Sequence, residues 1–469
     1  MMARVVNEDG RLTFRRLLPQ LVCGLGATVT MVELGLSSGW SSPYLAQLTA
    51  PGSPLPLTLE QASWVASLIN VGRFVGAFLG SLLVEYCGSK RAMLVNTLPM
   101  TLCWILTCLA DSPIWLYLAR LSGGLCLGMA YSTYPLYVGE VALPRIRGAL
   151  VSLVSFGGTV GIFLGILAGS YLDMRLSAGI YLGPCLFLII LFMWLPESPH
   201  HLVKVNDLKK ARESIEYYRA GYQVNEELEA VQKFVRGQGT LAFWDRFCEL
   251  LRQPPLLKAT LLIVFLWTFM QLSGFNNVLF YMEMIVRDAG VTVIEPKVVV
   301  IFAGLAAVVA SGLAIWIIDK YGRKILLTMS SLGVTLSMIG LAVQYLLIDG
   351  QPAAGISPTL QLLPIGSIVL YEIFFFLGFF CVPSAVLSEL FPANVKCAAA
   401  CLASLAGAVF AFVSTKSYQP LVEAIGTSNV FFLQAVLAFL VTPYVALFMP
   451  ETKGKSLQQI QDDLMSARR

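Results

Sequence analysis

The sequence predicts an all-α membrane protein: twelve transmembrane helices in two six-helix halves. Three observations carry this. The 469 residues are 57% apolar and only 13% charged, with mean hydropathy +0.74, whereas soluble domains average about 25% charged residues. Twelve runs reach the roughly 20 mostly apolar residues that a bilayer crossing needs. Three charged phrases at the edges of these runs occur twice, in the same order and at similar offset, which marks a duplicated half.

The runs lie at residues 18–39, 62–84, 91–110, 113–138, 148–172, 178–195, 256–285, 297–318, 325–347, 362–388, 397–421 and 428–449. The phrase from Gly80 to Arg91 is echoed by Ile318 to Lys324. Glu140 to Arg147 is echoed by Glu389 to Lys396, and Pro196-Glu197-Ser198 by Pro450-Glu451-Thr452. The chain thus divides into a segment 1–17, a half 18–195, a linker 196–255, a half 256–449 and a tail 450–469.

Pro51, Pro54 and Pro56 mark the first outer loop as extended. In the linker, Asp207 is an N-cap type residue and Asn225-Glu226-Glu227-Leu228 reads as another helix start. From Leu241 to Leu251, Phe243, Phe247 and Leu251 stand at helical spacing. A helical bundle bracing both halves is expected, with a solvated linker as the alternative.

Lys and Arg gather on the side that would hold both termini and the linker, while the opposite loops hold only Arg175, Arg287, Lys297 and Lys416. That asymmetry predicts cytosolic termini, in a multi-pass protein of the plasma membrane. A cleavable leader is not expected, because charged residues precede the first run and no A-x-A site follows it. The net charge of +4 is too small to suggest nucleic acid. The ten cysteines sit in spans or at cytosolic edges, so no disulfide is expected. His200 and His201 lack partners for a metal site. No cofactor, no obligate protein partner and no enzymatic activity are expected. The sequence has no N-x-[ST] glycosylation site and no G-x-x-x-x-G-K-[ST] phrase, which disfavours an ATP-driven pump.

Charges at a membrane edge are costly unless paired. Glu85, Arg91, Glu140 and Arg147 lie at cytosolic ends of the first half. Asp319, Arg323, Glu389 and Lys396 lie at the same places in the second. Exchangeable ion pairs between the halves, each contributing about 1 kcal/mol, would form a conformational latch. The alternative is that these charges only set topology.

The phrases also carry a resemblance. Glu140 to Gly148 resembles E-x-x-P-x-x-x-R-G, Pro196 to Pro199 resembles P-E-S-P-R, Gln271 to Asn276 resembles Q-L-S-G-I-N, and Pro450 to Gly454 resembles P-E-T-K-G. Over about residues 15–460 the chain is similar to the sugar porter family of the major facilitator superfamily, and within it to insect facilitated trehalose transporters. The resemblance implies a carrier that works by rocking of the halves about a central site, with a small-molecule sugar and the lipid bilayer as partners.

A sugar site needs amides or hydroxyls and aromatic surface. Gln271, Asn276 and Asn277 stand in an apolar helix broken by Gly274, with Phe280 and Tyr281 one turn on. Binding is one reading; interhelical hydrogen bonding is the other. The family's glucose carriers have Gln where this chain reads Ser155, Asn at Ala307, Trp at Ser384 and Asn at Gly407. Met270 and His200 replace a Gln and an Arg, Ser89 an Arg, and Cys397 a Gly. Ser155 and Ser384 remain candidate substrate contacts. The small replacements predict a wider, less polar cavity suited to a larger sugar.

Three membrane charges are left over. Arg120 matches an Arg of the family's fourth span and is expected to be structural. Glu33 pairs with Arg73 in one reading and carries a proton in another. The Asp of proton-coupled members falls near Leu36 instead, which favours uncoupled transport. Gly124 and Gly128 have the spacing of close helix contacts within a bundle. The expected function is a facilitative uniporter for trehalose or another sugar. A proton-coupled symporter using Glu33 and a sugar-binding receptor without flux are the rivals.

Overall fold

The computed structural model describes residues 6–7, 10–11, 14–220, 223–237, 243–348, 357–453, 455 and 459–460, and of residues 6–7, 10–11, 14–16, 144, 237, 243, 319 and 393 the backbone alone. A two-residue pairing, Val6–Asn7 with Gly10–Arg11, precedes the helices. The first half contains α1 (Phe14–Gly39), α2 (Ser41–Leu48), α3 (Leu59–Cys87), α4 (Ser89–Cys108), α5 (Pro113–Val141), α6 (Pro144–Tyr171) and α7 (Met174–Trp194). The linker forms α8 (Pro199–Lys204), α9 (Leu208–Arg219), α10 (Val224–Gly237) and α11 (Phe243–Arg252). The second half contains α12 (Pro254–Leu272), α13 (Phe275–Asp288), α14 (Pro296–Tyr321), α15 (Arg323–Ile348), α16 (Pro358–Phe374), α17 (Val382–Leu390), α18 (Ala393–Ile425), α19 (Thr427–Phe439) and α20 (Val441–Phe448).

The pairs α1–α2, α12–α13, α16–α17 and α19–α20 each make one bent crossing, so the described helices form twelve membrane segments. Eleven are apolar enough to be recognised by hydropathy alone. The twelfth is α5, whose Arg120, glycines and tyrosines face protein, because it packs among α1, α3 and α4. Around the periphery, side chains such as Trp194, Trp316 and Leu447 are exposed. A surface of that kind is stable only against lipid.

Helix ends follow local chemistry. Proline opens α5, α6, α12, α14, α16 and α17, where its missing N–H costs nothing. Thr58 and Gln61 form a reciprocal capping box at α3. The first segment runs on past Gly39 to Leu48, beyond the expected end. Its last turn is anchored by the Tyr44 hydroxyl, which donates to Ser177 Oγ at 2.7 Å. The tenth crossing contains a π-helical turn, Phe375–Phe379. Ser330 satisfies the backbone there: its Oγ donates to Phe374 O at 2.6 Å and accepts from Phe379 N at 3.0 Å.

The halves meet along three helix pairs: α3 with α18, α6 with α14, and α2 with α13. On the face away from the linker, Glu283 N donates to Ser42 Oγ at 3.0 Å and Lys416 Nζ lies 4.1 Å over the Trp64 ring. At mid-depth, Thr159 Oγ1 donates to Ser311 Oγ at 3.3 Å.

The linker helices α8 to α10 pack on the first half. Gln20 Nε2 donates to Tyr218 O at 3.0 Å, and the Tyr137 and Tyr218 hydroxyls are 2.8 Å apart. Asp207 caps α9 by accepting from Lys210 N at 3.2 Å. Helix α11 reaches both halves: Arg246 binds Glu85 of α3 at 3.0 Å, and the helix also packs along α18. Its buried stripe differs from expectation. Leu250 is fully buried whereas Leu251 is 59% exposed, so the contact face follows i to i+3 from Phe247. Residues 241–242 lie outside the described set. All ten cysteines are free. His200 stands edge-on to Phe234, and burial, then Arg147, pushes its pKa down to about 4.

Candidate functional site

Gly274 has φ +90°, and a Cβ there would lie 2.5 Å from Gln434 Oε1. Only glycine fits this position, and it separates α12 from α13 in mid-membrane. Gln271 on one side of the break and Asn276 on the other therefore face each other: Asn276 Nδ2 donates to Gln271 Oε1 at 2.7 Å. Asn277 turns instead to Ser414 Oγ, donating at 3.3 Å. Phe275 stacks on Phe375 of the π turn, with centroids 4.2 Å apart.

Asn276, Phe280 and Phe275 line a cavity between the halves, with Ser38, Asn70, Arg73 and Tyr131 on the opposite wall. About 60 Å³ of it admits the centre of a water-sized sphere, against roughly 300–1,000 Å³ for a ligand pocket. In this conformation it is too tight for a sugar, and binding needs the halves to part. Asn70 Nδ2, Gln271 Nε2 and Asn277 Oδ1 are buried without a partner among the described residues. Unfilled groups of this kind are costly; of the three residues Asn70 lines the cavity, where a ligand hydroxyl would satisfy it.

In this conformation, closed on the face away from the linker, the duplicated phrases converge within each half. In the first half, Glu197 accepts from the backbone N–H groups of Lys90 (2.8 Å) and Arg91 (3.1 Å), which opens α4. In the second, Glu451 accepts from Arg323 N and Lys324 N, both at 3.0 Å, which opens α15. Burial raises the carboxyl of Glu451, but the N–H donors of Lys453, Arg323 and Lys324 outweigh it and hold its pKa below the usual value. The reason is a helix N-terminus, which attracts an anion. Gly88 (φ +97°) and Gly322 (φ +91°) make room, since a Cβ at either would meet the glutamate.

The second phrase joins the same cluster. Ser89 Oγ donates to Glu140 at 2.6 Å, and Arg323 Nη2 donates to Glu389 at 2.7 Å. Arg91 reaches Glu197 only at 3.9 Å, and Glu85 binds Lys204 and Arg246 of the linker. Arg147 is exposed, and neither it nor Lys396 makes an ion pair among the described residues. The side chain of Asp319 lies outside the described set. The physical reason is reach: each Glu sits one short side chain from the helix start that follows its own half's glycine turn. Glu197 and Glu451 were the unrecognised members; the repetition of Pro-Glu-Ser/Thr was the signal.

The two clusters differ in strength. Both bonds run to a carboxylate, a class worth roughly 1.5–3 kcal/mol, but Arg323→Ala removes an ion pair and a second bond, from Nη1 to Ile318 O at 3.2 Å, whereas Ser89→Ala removes the one hydroxyl bond. The expected result is a clearly larger drop in melting temperature in detergent for Arg323→Ala. Equal drops would contradict the asymmetry.

Each half thus has one helix-opening cluster at its edge, and a cavity lies between the halves at the broken helix. The family described as "Sugar (and other) transporter" matches residues 26–464. The chain belongs to the sugar transporter family. It is 32% identical over 447 residues to Sugar transporter ERD6-like 6 of Arabidopsis thaliana, covering 94% of this chain and 89% of that one. It is 30% identical to Facilitated trehalose transporter Tret1 of Bombyx mori, covering 99% and 91%. In longer insect relatives it spans 50% of the length. The xylose symporter XylE bound to a bromo-deoxy-glucose superposes with TM-score 0.76 at 20% identity, over 96% of this chain and 99% of that one. At that identity the likeness concerns the fold.

As a sugar transporter family member, the chain departs from the pattern inside the cavity. The expected widening does not occur. A Cβ on Gly407 would lie 3.0 Å from the Trp267 ring and 3.2 Å from Arg73 Nη2, so the vacated space is filled by Trp267 of the same half and Arg73 of the other. Ser155 is 3.2 Å from the Tyr134 hydroxyl and donates to Val151 O at 3.1 Å. Ser384 is exposed on α17. Neither lines the cavity.

The Glu33–Arg73 pair is not formed. Glu33 accepts from Trp104 Nε1 at 2.7 Å inside the first half, off the cavity. Arg120 donates to Ser37 O (2.6 Å) and Ser41 Oγ (2.8 Å), holding the bend between α1 and α2.

Proposed function

We propose that this protein is a facilitative sugar uniporter of the plasma membrane, with the linker face in the cytosol. The observation that carries this reading is the cavity between the halves at the Gly274 break, where Asn276 and its partner Gln271 meet Asn70 and Ser38. These amides and hydroxyls both donate and accept, as sugar hydroxyls do. Trehalose, which the Bombyx mori relative's name carries, or another sugar is the cargo. Alternating access proceeds by rocking of the halves. The conformation described is closed on the far face through Ser42, Glu283, Trp64 and Lys416.

The charged clusters act as latches in modified form. Each holds its own half rigid, and Glu85 ties the linker to the first half. Arg147 and Lys396, left over on the linker face, are available when that face closes. Because Glu33 lies off the cavity, uncoupled transport is favoured over the proton-coupled alternative.

Uptake of labelled trehalose and glucose by protein in liposomes tests the proposal. Saturable uptake that persists without a pH gradient is expected. Uptake that vanishes with the gradient removed would transfer the function to a proton symporter, and binding without flux would make it a receptor.

A further inference from the structure

Arg73 stands at the midpoint of α3, hence at mid-membrane, and is only 6% exposed. It is the one fully charged residue among those lining the cavity. Among the described residues it has no ion pair and no hydrogen bond, and its Nε is buried without an acceptor. Its guanidinium lies against two rings from opposite halves, 5.4 Å from the Tyr131 centroid and 5.5 Å from that of Trp267, the rings themselves meeting edge to face at 6.3 Å. Such contacts offset part of a cation's burial cost, but they supply no acceptor. A membrane-embedded charge without a partner marks a functional position.

The unpartnered groups around it are mostly donors, Asn277 Oδ1 being the acceptor among them. Arg73 Nε and Trp267 Nε1 are both buried and unpartnered, and neither can act as an acceptor. Asn70 Nδ2 and Gln271 Nε2 add two more unpartnered donors. Asn276 and Phe280 face the same space and suit a sugar ring. A carboxylate is acceptor-only and takes two parallel bonds from a guanidinium.

The geometry points to a sugar acid, a uronate-type monoanion, as the preferred cargo, with its carboxylate on Arg73 and its hydroxyls on the Asn276–Gln271 side. This assignment rests on the sugar-carrier reading and narrows it. A bound monoanion neutralises the one uncompensated charge of the path. Its transport moves net charge, so an imposed membrane potential shifts the flux, unlike that of a neutral sugar.

Calorimetry on the purified full-length protein with glucuronate, glucose and sulfate tests the proposal, alongside flux in liposomes. Glucuronate is expected to bind roughly tenfold or more tightly than glucose, the scale of a charge-assisted bond. Arg73→Gln should remove that preference, so that glucuronate and glucose bind within about twofold of each other, and Arg73→Lys, which keeps the charge, should retain part of it. Equal binding of glucose and glucuronate by the unaltered protein overturns the assignment even if Arg73→Gln fails to fold. So does an equal loss for both sugars in that variant, or sulfate that binds as tightly as glucuronate. Glucose flux without glucuronate preference overturns this inference and leaves the carrier reading standing. Preferential glucuronate binding without flux of either sugar supports this inference and overturns that reading.

Discussion

Gly124→Val is expected to abolish folded protein. A Cβ at Gly124 would lie 2.1 Å from the backbone oxygen of Ile69 and 2.9 Å from the Cα of Gly72. Gly72 is equally constrained, with a Cβ 2.2 Å from Leu121 O, and Gly128 would meet Arg73 O at 2.2 Å. Helices α3 and α5 thus touch backbone to backbone along a seam of small residues. Overpacking usually costs about 1–3 kcal/mol because side chains can yield. Here the clash is with main chain, and only separation of the helices relieves it. Against a total stability of roughly 5–15 kcal/mol, that loss exceeds what the half tolerates. The measurement is the monodisperse fraction after detergent extraction. Gly183→Ala is the control, since nothing lies within 4 Å of a Cβ there. Normal yield of Gly124→Val would disprove the tight crossing.

Gln271→Ala is expected to lower sugar uptake roughly tenfold or more, the scale of one or two lost hydrogen bonds to a buried substrate, with surface level unchanged. Gln271 is 1% exposed and holds Asn276 across the helix break, so the substitution removes one amide and releases another. Ser155→Ala and Ser384→Ala, whose side chains lie off the cavity, are expected to stay within about twofold. Uptake by Gln271→Ala equal to that of the unaltered protein would place the substrate elsewhere.

Much of the fold was legible because lipid imposes simple demands. Every crossing must be apolar and helical, and hydropathy exposes that directly. Only α5 escapes this rule, because its neighbours are helices and it tolerates Arg120. Helix breaks were legible where residue type dictates them, as at Gly274. The π turn at Phe375–Phe379 was not, since its backbone is satisfied by Ser330, 44 residues from Phe374 in sequence.

The site was legible in part. Gln271 and Asn276 were visible as amides in an apolar helix, and they do meet. Ser155 and Ser384 were inferred from positions in a family pattern, and neither lines the cavity. The widened cavity was a volume argument over single positions, and at Gly407 it failed because the long side chains of Trp267 and, from the other half, Arg73 occupy the vacancy.

The sequence by itself determined the number of crossings, the duplicated halves and the phrases that open α4 and α15, because each follows from local polarity, glycine and charge. Only the tertiary structure decided which charges pair. Glu140 and Glu389 each bond within their own half, and Arg73 is left against two aromatic rings without a counter-charge. Pairing depends on distances between helices remote in sequence, which composition and spacing along one chain do not contain.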